Sequence, residues 1–265
     1  MTYRENMRRV RLISPASASL TALLFAGALA VTGCAGTSPD IASSAGVTTS
    51  PATVDPASCP ALPDGFAYLN TVDRSISVDL KYATTDNFTG EAVDGYERAG
   101  TAVLRADAAE ALSDVQASLA EKGLGLLVFD AFRPTRAVAD FVAWSQTDDD
   151  RTHEVYYPSL EKAQLFELGY IAEQSGHSLG GTVDLTLVSL ASGDPLDMGG
   201  AFDLFDERSH YEFDGVTPQQ FQHRTVLREA MIDAGFAPYP QEWWHFSYPV
   251  PEGAERLDFA LESCG

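Results

Sequence analysis

From residue 66 onward, apolar positions follow two periods. Between 76 and 82 they alternate strictly, with Ile76, Val78, Leu80 and Tyr82 on one face, which predicts a half-buried strand. Residues 66–72 predict another. Over 102–122 the spacing turns helical: Leu104, Ala108, Ala111, Leu112, Val115 and Leu119 form one stripe, and Gly123 supplies a stop. Residues 124–130 make a short apolar strand, and Pro134 suits the first turn of a helix running through Val138, Phe141 and Val142. Further on, the pattern predicts a short helix over 159–168 and a strand over 182–188. A helix opened by Thr217-Pro218 ends before Gly235, and a last strand covers 243–248. The sum is a domain of mixed α and β structure.

The start of the chain follows neither period. Leu20 to Val31 is one apolar run, shorter than the roughly 20 residues a membrane span needs. Arg4, Arg8, Arg9 and Arg11 precede it, and Val31-Thr32-Gly33-Cys34 after it resembles a lipobox. Residues 1–33 therefore read as a lipoprotein signal peptide. Cleavage leaves Cys34 as a lipid-bearing N-terminus that anchors the protein to the cell membrane, outside the cytoplasm. Residues 34–58, rich in Ser, Thr, Ala, Pro and Gly, read as a flexible tether, which leaves 59–265 as one folded domain.

Composition narrows the partners. The formal net charge is −21, and −24 once the leader with its four arginines and one glutamate is removed. Nucleic acid needs basic surface, so it is excluded as a partner. With Cys34 lipidated, Cys59 and Cys264 remain, one at each end of the domain. Outside the cytoplasm the expectation is a disulfide between them, with two free thiols as the alternative. Oligomeric state leaves no mark on the sequence.

The chemistry concentrates in two stretches. Ser175-Gly176-His177-Ser178-Leu179-Gly180-Gly181-Thr182-Val183-Asp184 offers an imidazole, a glycine pair and then a carboxylate heading an apolar run. Each glycine costs a helix about 1 kcal/mol relative to alanine, so a loop carrying His177 that leads into the Asp184 strand is the better reading. Glu242-Trp243-Trp244-His245 supplies a second imidazole and a spare glutamate. Two His, one Asp and a Glu make the inventory of a catalytic zinc site: three ligands, an open position and a general base. Residues three apart on a regular strand face opposite ways, so Glu242 is expected at a strand entrance or bulge. Arg133 sits at a strand-to-helix junction, and Asp203 either meets a cationic group or caps a turn. His153, His210 and His223 read as surface or packing residues.

These residues carry a family resemblance. Asp79-Leu80-Lys81-Tyr82-Ala83-Thr84, Asp86-Asn87-Phe88-Thr89-Gly90, Asp130-Ala131-Phe132-Arg133-Pro134 and Tyr156-Tyr157-Pro158, with 175–187, 202–210 and 242–245, resemble blocks of the zinc D-alanyl-D-alanine dipeptidases. That is the type associated with vancomycin resistance. The blocks cover nearly the whole domain in one order. The resemblance implies an α+β fold, a small mostly antiparallel sheet flanked by helices, with the zinc site in a cleft. It implies one Zn2+ on His177, Asp184 and His245, with Glu242 as catalytic base and Arg133 stabilising the transition state. Tyr82, Ser175 and Asp203 would bind the small dipeptide substrate. Two positions depart from the family: its second serine before the histidine is Gly176 here, and its arginine two after the histidine is Leu179. Two other readings use the same residues, a D,D-carboxypeptidase or muropeptide peptidase of cell-wall turnover, and a non-catalytic zinc-bearing binding lipoprotein.

Overall fold

The computed structural model describes residues 56–265. The expected leader, the Cys34 anchor and nearly all of the tether lie outside the described residues. Pro56–Ser58, the end of that tether, forms a 3-10 turn.

The core of the fold is a mixed sheet of five strands. In chain order they are β2 (Ser77–Val78), β4 (Leu124–Asp130), β5 (Thr182–Ser189), β6 (Ala237–Pro238) and β7 (His245–Ser247), arranged β2-β4-β5-β7-β6. Only β2 and β4 run parallel; the other pairings are antiparallel. A separate antiparallel pair joins β1 (Phe66–Tyr68) to β3 (Val103–Arg105). The fold is thus α+β with a mostly antiparallel sheet. In β5 every residue from Thr182 to Val188 is buried, as a central strand covered on both faces requires.

The described helices are α1 (Leu69–Val72), α2 (Ala106–Ala120), α3 (Thr135–Ser145), α4 (His153–Tyr156), α5 (Lys162–Glu167) and α6 (Pro218–Asp233); α2 packs against β4, and α6 against β5 and β6. The α2 stripe is buried as the spacing requires, Leu112 and Leu119 completely, each worth about 1.5–3 kcal/mol. At the head of α6, Thr217 Oγ1 accepts from the Gln220 amide and Gln220 Oε1 accepts from the Thr217 amide, a reciprocal cap ahead of Pro218. None of the described helices is long and apolar enough to cross a membrane.

Several expected boundaries are corrected. Residues 66–72 are not one strand: pairing stops at Tyr68 and Leu69–Val72 coils into α1. The alternating run 76–82 keeps only Ser77–Val78 as strand. It then tightens into a 3-10 turn at Lys81–Ala83, where Lys81 Nζ lies 2.7 Å from both Asp79 and Asp86. The helix expected from 102 starts at Ala106, because Val103–Arg105 pairs with β1 instead. The helix expected over 159–168 is only Lys162–Glu167, opened where Gln164 Oε1 accepts from the Glu161 amide. The last strand begins at His245, since residues 242–244 form a turn. At Val103–Arg105 tertiary pairing overrides the local period, and at the other boundaries local turn and cap hydrogen bonds end it.

The C-terminal tail is an extended strap. The Leu257 amide donates to Ser178 O at 2.9 Å, and the Leu257 carbonyl accepts from the Thr135 amide. Arg136 grips Asp258 with two nitrogens, each at 3.0 Å, and Phe259 stacks on Phe132 at 4.0 Å. Cys264 is joined by a disulfide to Cys59, a sequence separation of 205 residues. A crosslink closing so long a loop removes much chain entropy from the unfolded state. Replacing Cys264 by Ser is expected to cost about 2–5 kcal/mol of stability. Denaturant unfolding of parent and variant measures this; equal midpoints would show that the bridge contributes nothing.

Candidate active site

The site is set by sheet register. Asp184 is the third residue of β5, and it pairs with Asp130 of β4 on one side and His245 of β7 on the other. A register shift between Val128 and Asp130 in β4 brings Asp130 opposite Asp184. Three side chains on three neighbouring strands thus form one row.

His177 arrives from outside the sheet, in a 3-10 turn at His177–Leu179. Gly180 ends that turn at φ +81°, and an added Cβ there would run into the Phe66 ring, so only glycine fits. β3 holds the loop in place: the Arg105 amide donates to Gly180 O at 2.8 Å and Arg105 Nε to Leu179 O at 2.7 Å. His177 Nδ1 donates to Ala131 O at 2.8 Å. That bond fixes the ring and leaves Nε2 facing Asp184 Oδ2 at 3.3 Å and His245 Nδ1 at 3.4 Å.

One ligand atom each from His177, Asp184 and His245 lies within 4.8 Å of the other two. Asp184 Oδ1 is buried without a hydrogen-bond partner, 3.0 Å from His245 Nδ1. Leaving such an atom unpaired costs about 1–3 kcal/mol, more for a charged group, which a cation in the triangle removes. Burial alone would push the Asp184 carboxyl up, but His177 and His245 beside it hold it well below the carboxylate range. Burial pushes His245 down, towards the neutral ring that ligates metal. The donor set fits a tetrahedral N/O-preferring cation such as zinc.

Glu242 sits in the turn entering β7, where the His245 amide donates to Glu242 O. A turn returns the chain to the same side after three residues, and Glu242 Oε2 lies 3.5 Å from His245 Nδ1. Burial raises its carboxyl well above the usual range, reinforced by the charges of Asp184 and Asp203. Arg133, just after β4, places Nη2 2.9 Å from Asp130 and 3.6 Å from Asp184. Its guanidinium lies about 5 Å above the rings of Tyr82 and Phe141.

Opposite these groups, Tyr82 donates to Asp203 Oδ2 at 2.8 Å. Asp203 is buried, and burial followed by the nearby Asp184 charge raises its carboxyl well above the usual range. It is the one non-glycine among the described residues with positive φ, +58°. Such backbone is costly outside glycine and Asn/Asp, and it persists where the surroundings hold it. Arg224 does the holding. Its Nε, Nη1 and Nη2 donate to the carbonyls of Met198, His210 and Arg208 at 2.6–2.7 Å, pinning both ends of the Asp203 loop. Ser175 Oγ accepts from the His177 amide.

One cavity of about 230 Å³ is lined by all eight residues singled out in the sequence: Tyr82, Arg133, Ser175, His177, Asp184, Asp203, Glu242 and His245. The remaining histidines stand elsewhere: His153 on Leu160 O, His210 on Tyr170, His223 on Asp197 O. Asp130, Tyr96 and Arg224 belong to the site's framework and were not singled out. Asp130 had a signal, a carboxylate closing an apolar strand; Tyr96 and Arg224 had none.

Two imidazoles and a carboxylate around one point, with a free carboxylate and a guanidinium beside it, are the equipment of a metal-dependent hydrolase. Comparison with known proteins makes the class particular. The family model described as D-ala-D-ala dipeptidase, a peptidase family, matches residues 63–257, and the chain belongs to this family of metallopeptidases. It is 44% identical over 193 residues to a D-alanyl-D-alanine dipeptidase of Enterococcus faecalis, covering 71% of this chain and 95% of that one. It is 44% identical over 201 residues to one of Streptomyces coelicolor, covering 74% and 98%, and 34% identical over 184 residues to one of Escherichia coli, covering 68% and 83%. A solved vancomycin-resistance D,D-pentapeptidase in complex with Zn(II) aligns at 17% identity over 56% of this chain and 74% of that one. The TM-score of that alignment is 0.35.

The Arg224 clamp is testable by stability. Arg224→Met removes three hydrogen bonds from a cationic donor and is expected to cost about 2–4 kcal/mol in denaturant unfolding. A loss under about 0.5 kcal/mol, the usual limit for a neutral surface change, would show that the loop holds itself.

Proposed function

We infer that this protein hydrolyses the free dipeptide D-alanyl-D-alanine with a bound zinc ion, outside the cytoplasm. The observation that carries the substrate is Asp203. It is a buried carboxylate on the cavity wall, bonded to a tyrosine, and among the described residues no cation forms an ion pair with it. A dipeptide's ammonium supplies that missing charge. The named activity of the three relatives agrees with this reading.

His177 Nε2, Asp184 and His245 Nδ1 would hold the zinc. When bound, it supplies a Lewis acid for the peptide carbonyl and lowers the pKa of a water to about 7. Glu242, 3.5 Å from His245 and bordering the cavity, takes a proton from the attacking water and delivers one to the leaving amine. Arg133 stabilises the developing oxyanion, a contribution of about 3–4 kcal/mol for one such donor. Tyr82 and Asp203 hold the ammonium, and Ser175 lines the pocket beside the His177 loop.

The test uses purified protein with D-Ala-D-Ala and its N-acetyl form, with and without chelator. Acetylation removes the cation from Asp203. Breaking a buried pair costs about 3–5 kcal/mol, so the acetylated substrate should lose roughly 10²–10⁴-fold in kcat/KM. Glu242→Gln should retain metal and lose kcat by about 10²-fold or more. Equal rates on both substrates, or on a muropeptide, would favour the carboxypeptidase reading. Zinc binding with no turnover on any of them would favour a binding lipoprotein.

The location rests on the leader pattern and on Cys34. An exported dipeptidase would salvage dipeptide or trim wall-derived fragments. Cys34→Ala is expected to release the protein from membranes in fractionated cells; unchanged membrane association would refute the anchor.

A further inference from the structure

We propose that Asp130 is a positioning residue that sets Arg133 and His177 together, so that the oxyanion donor and the metal site are held by one buried carboxylate. The proposal rests on the catalytic reading of those two residues given above.

Asp130 is completely buried at the end of β4. Its Oδ1 accepts from Tyr96 OH at 2.5 Å. Its Oδ2 accepts from Arg133 Nε at 2.9 Å, stands 2.9 Å from Arg133 Nη2 and lies 3.4 Å from His177 Nδ1. The next residue, Ala131, provides the carbonyl that accepts a hydrogen bond from His177 Nδ1. Side chain and adjoining backbone therefore fix two functional groups from one place. Asp130 does not border the cavity, so it acts through its neighbours.

The charge balance says what its loss would do. Arg133 lies between two carboxylates, nearer to Asp130 at 2.9 Å than to Asp184 at 3.6 Å. With the Asp130 charge removed, Asp184 is the remaining strong attractor for the guanidinium. Arg133 would then move onto Asp184, competing with a metal for its oxygens and leaving the place where the oxyanion forms. One change should thus weaken metal binding and turnover together, while the substrate's ammonium contacts at Asp203 stay in place. Conserving shape while deleting charge isolates this effect, and Tyr96→Phe loosens the same carboxylate from its other side.

The experiment compares the disulfide-intact parent with Asp130→Asn and Tyr96→Phe. It reads thermal unfolding, zinc affinity by competition with a chelator, and kcat and KM on D-Ala-D-Ala. For a folded Asp130→Asn, zinc affinity should fall about 10–100-fold and kcat about 10²-fold, with KM within about threefold. Tyr96→Phe should lower both zinc affinity and kcat by about 3–10-fold. A folded Asp130→Asn with parental zinc affinity and kcat overturns the proposal. If Asp130→Asn does not fold, a folded Tyr96→Phe that loses both properties carries it. Parental values in Tyr96→Phe, or unfolding of both variants, reduce Asp130 to a structural part and overturn it. A parent that binds zinc but leaves the dipeptide intact sinks the functional reading, and the zinc titration still decides the role of Asp130.

Discussion

Two carboxylates face each other across neighbouring strands, Asp130 on β4 and Asp184 on β5, and both are buried. Directly opposed like charges are destabilising even at a surface, and burial sharpens the conflict. The structure around them answers that constraint. Arg133 lies against both. His177 and His245 crowd Asp184, and Tyr96 donates to Asp130. A metal in the triangle would complete the compensation at the orphaned Asp184 oxygen. The site is therefore also the electrostatic solution to its own sheet register.

The scaffolding around this row restricts movement. The His177 turn is held from three directions: by β3 through Arg105, by β4 through the Ala131 carbonyl, and by the C-terminal strap through Leu257. Arg256 Nε also donates to Ser175 O. The strap is fastened in turn by Arg136 and Phe132, which flank Arg133 in sequence, and by the disulfide. Arg133 and His177 thus share supports, which limits their movement relative to one another. The cysteines lie outside residues 63–257, the span of the family match.

Across the cavity the wall is built differently. Asp203 stands in an irregular loop, strained at positive φ and pinned by the buried guanidinium of Arg224. An aromatic group including Tyr82, Phe88, Phe141, Phe202 and Phe205 packs behind it. Sheet register is rigid and fixes Asp184 and His245 beside each other, whereas a loop such as that of Asp203 can be reshaped without breaking the sheet. The departures at Gly176 and Leu179 also fall in a loop, on either side of His177, and leave the ligand set intact.

The sequence alone determined the type of most elements and supplied the residues that the fold gathers around one cavity. Donor residues are rare in the chain, with only five histidines, and the two imidazoles, the carboxylates and the arginine that line the cavity stand out by residue type and motif. The α2 stripe and the buried β5 run are local patterns, and both appear where their periods put them. Boundaries were another matter. Val103–Arg105 reads as helix and pairs as strand, because β1 lies beside it and the His177 loop needs its amide. The alternating run at 76–82 coils after two residues, which carries Tyr82 to Asp203. Neither outcome is visible in a window of neighbours, since the deciding partners stand tens of residues away. The same holds for Asp130, Tyr96 and Arg224. Their side chains are ordinary in sequence and acquire a function only when sheet register and burial bring a distant charge or carbonyl within hydrogen-bond reach.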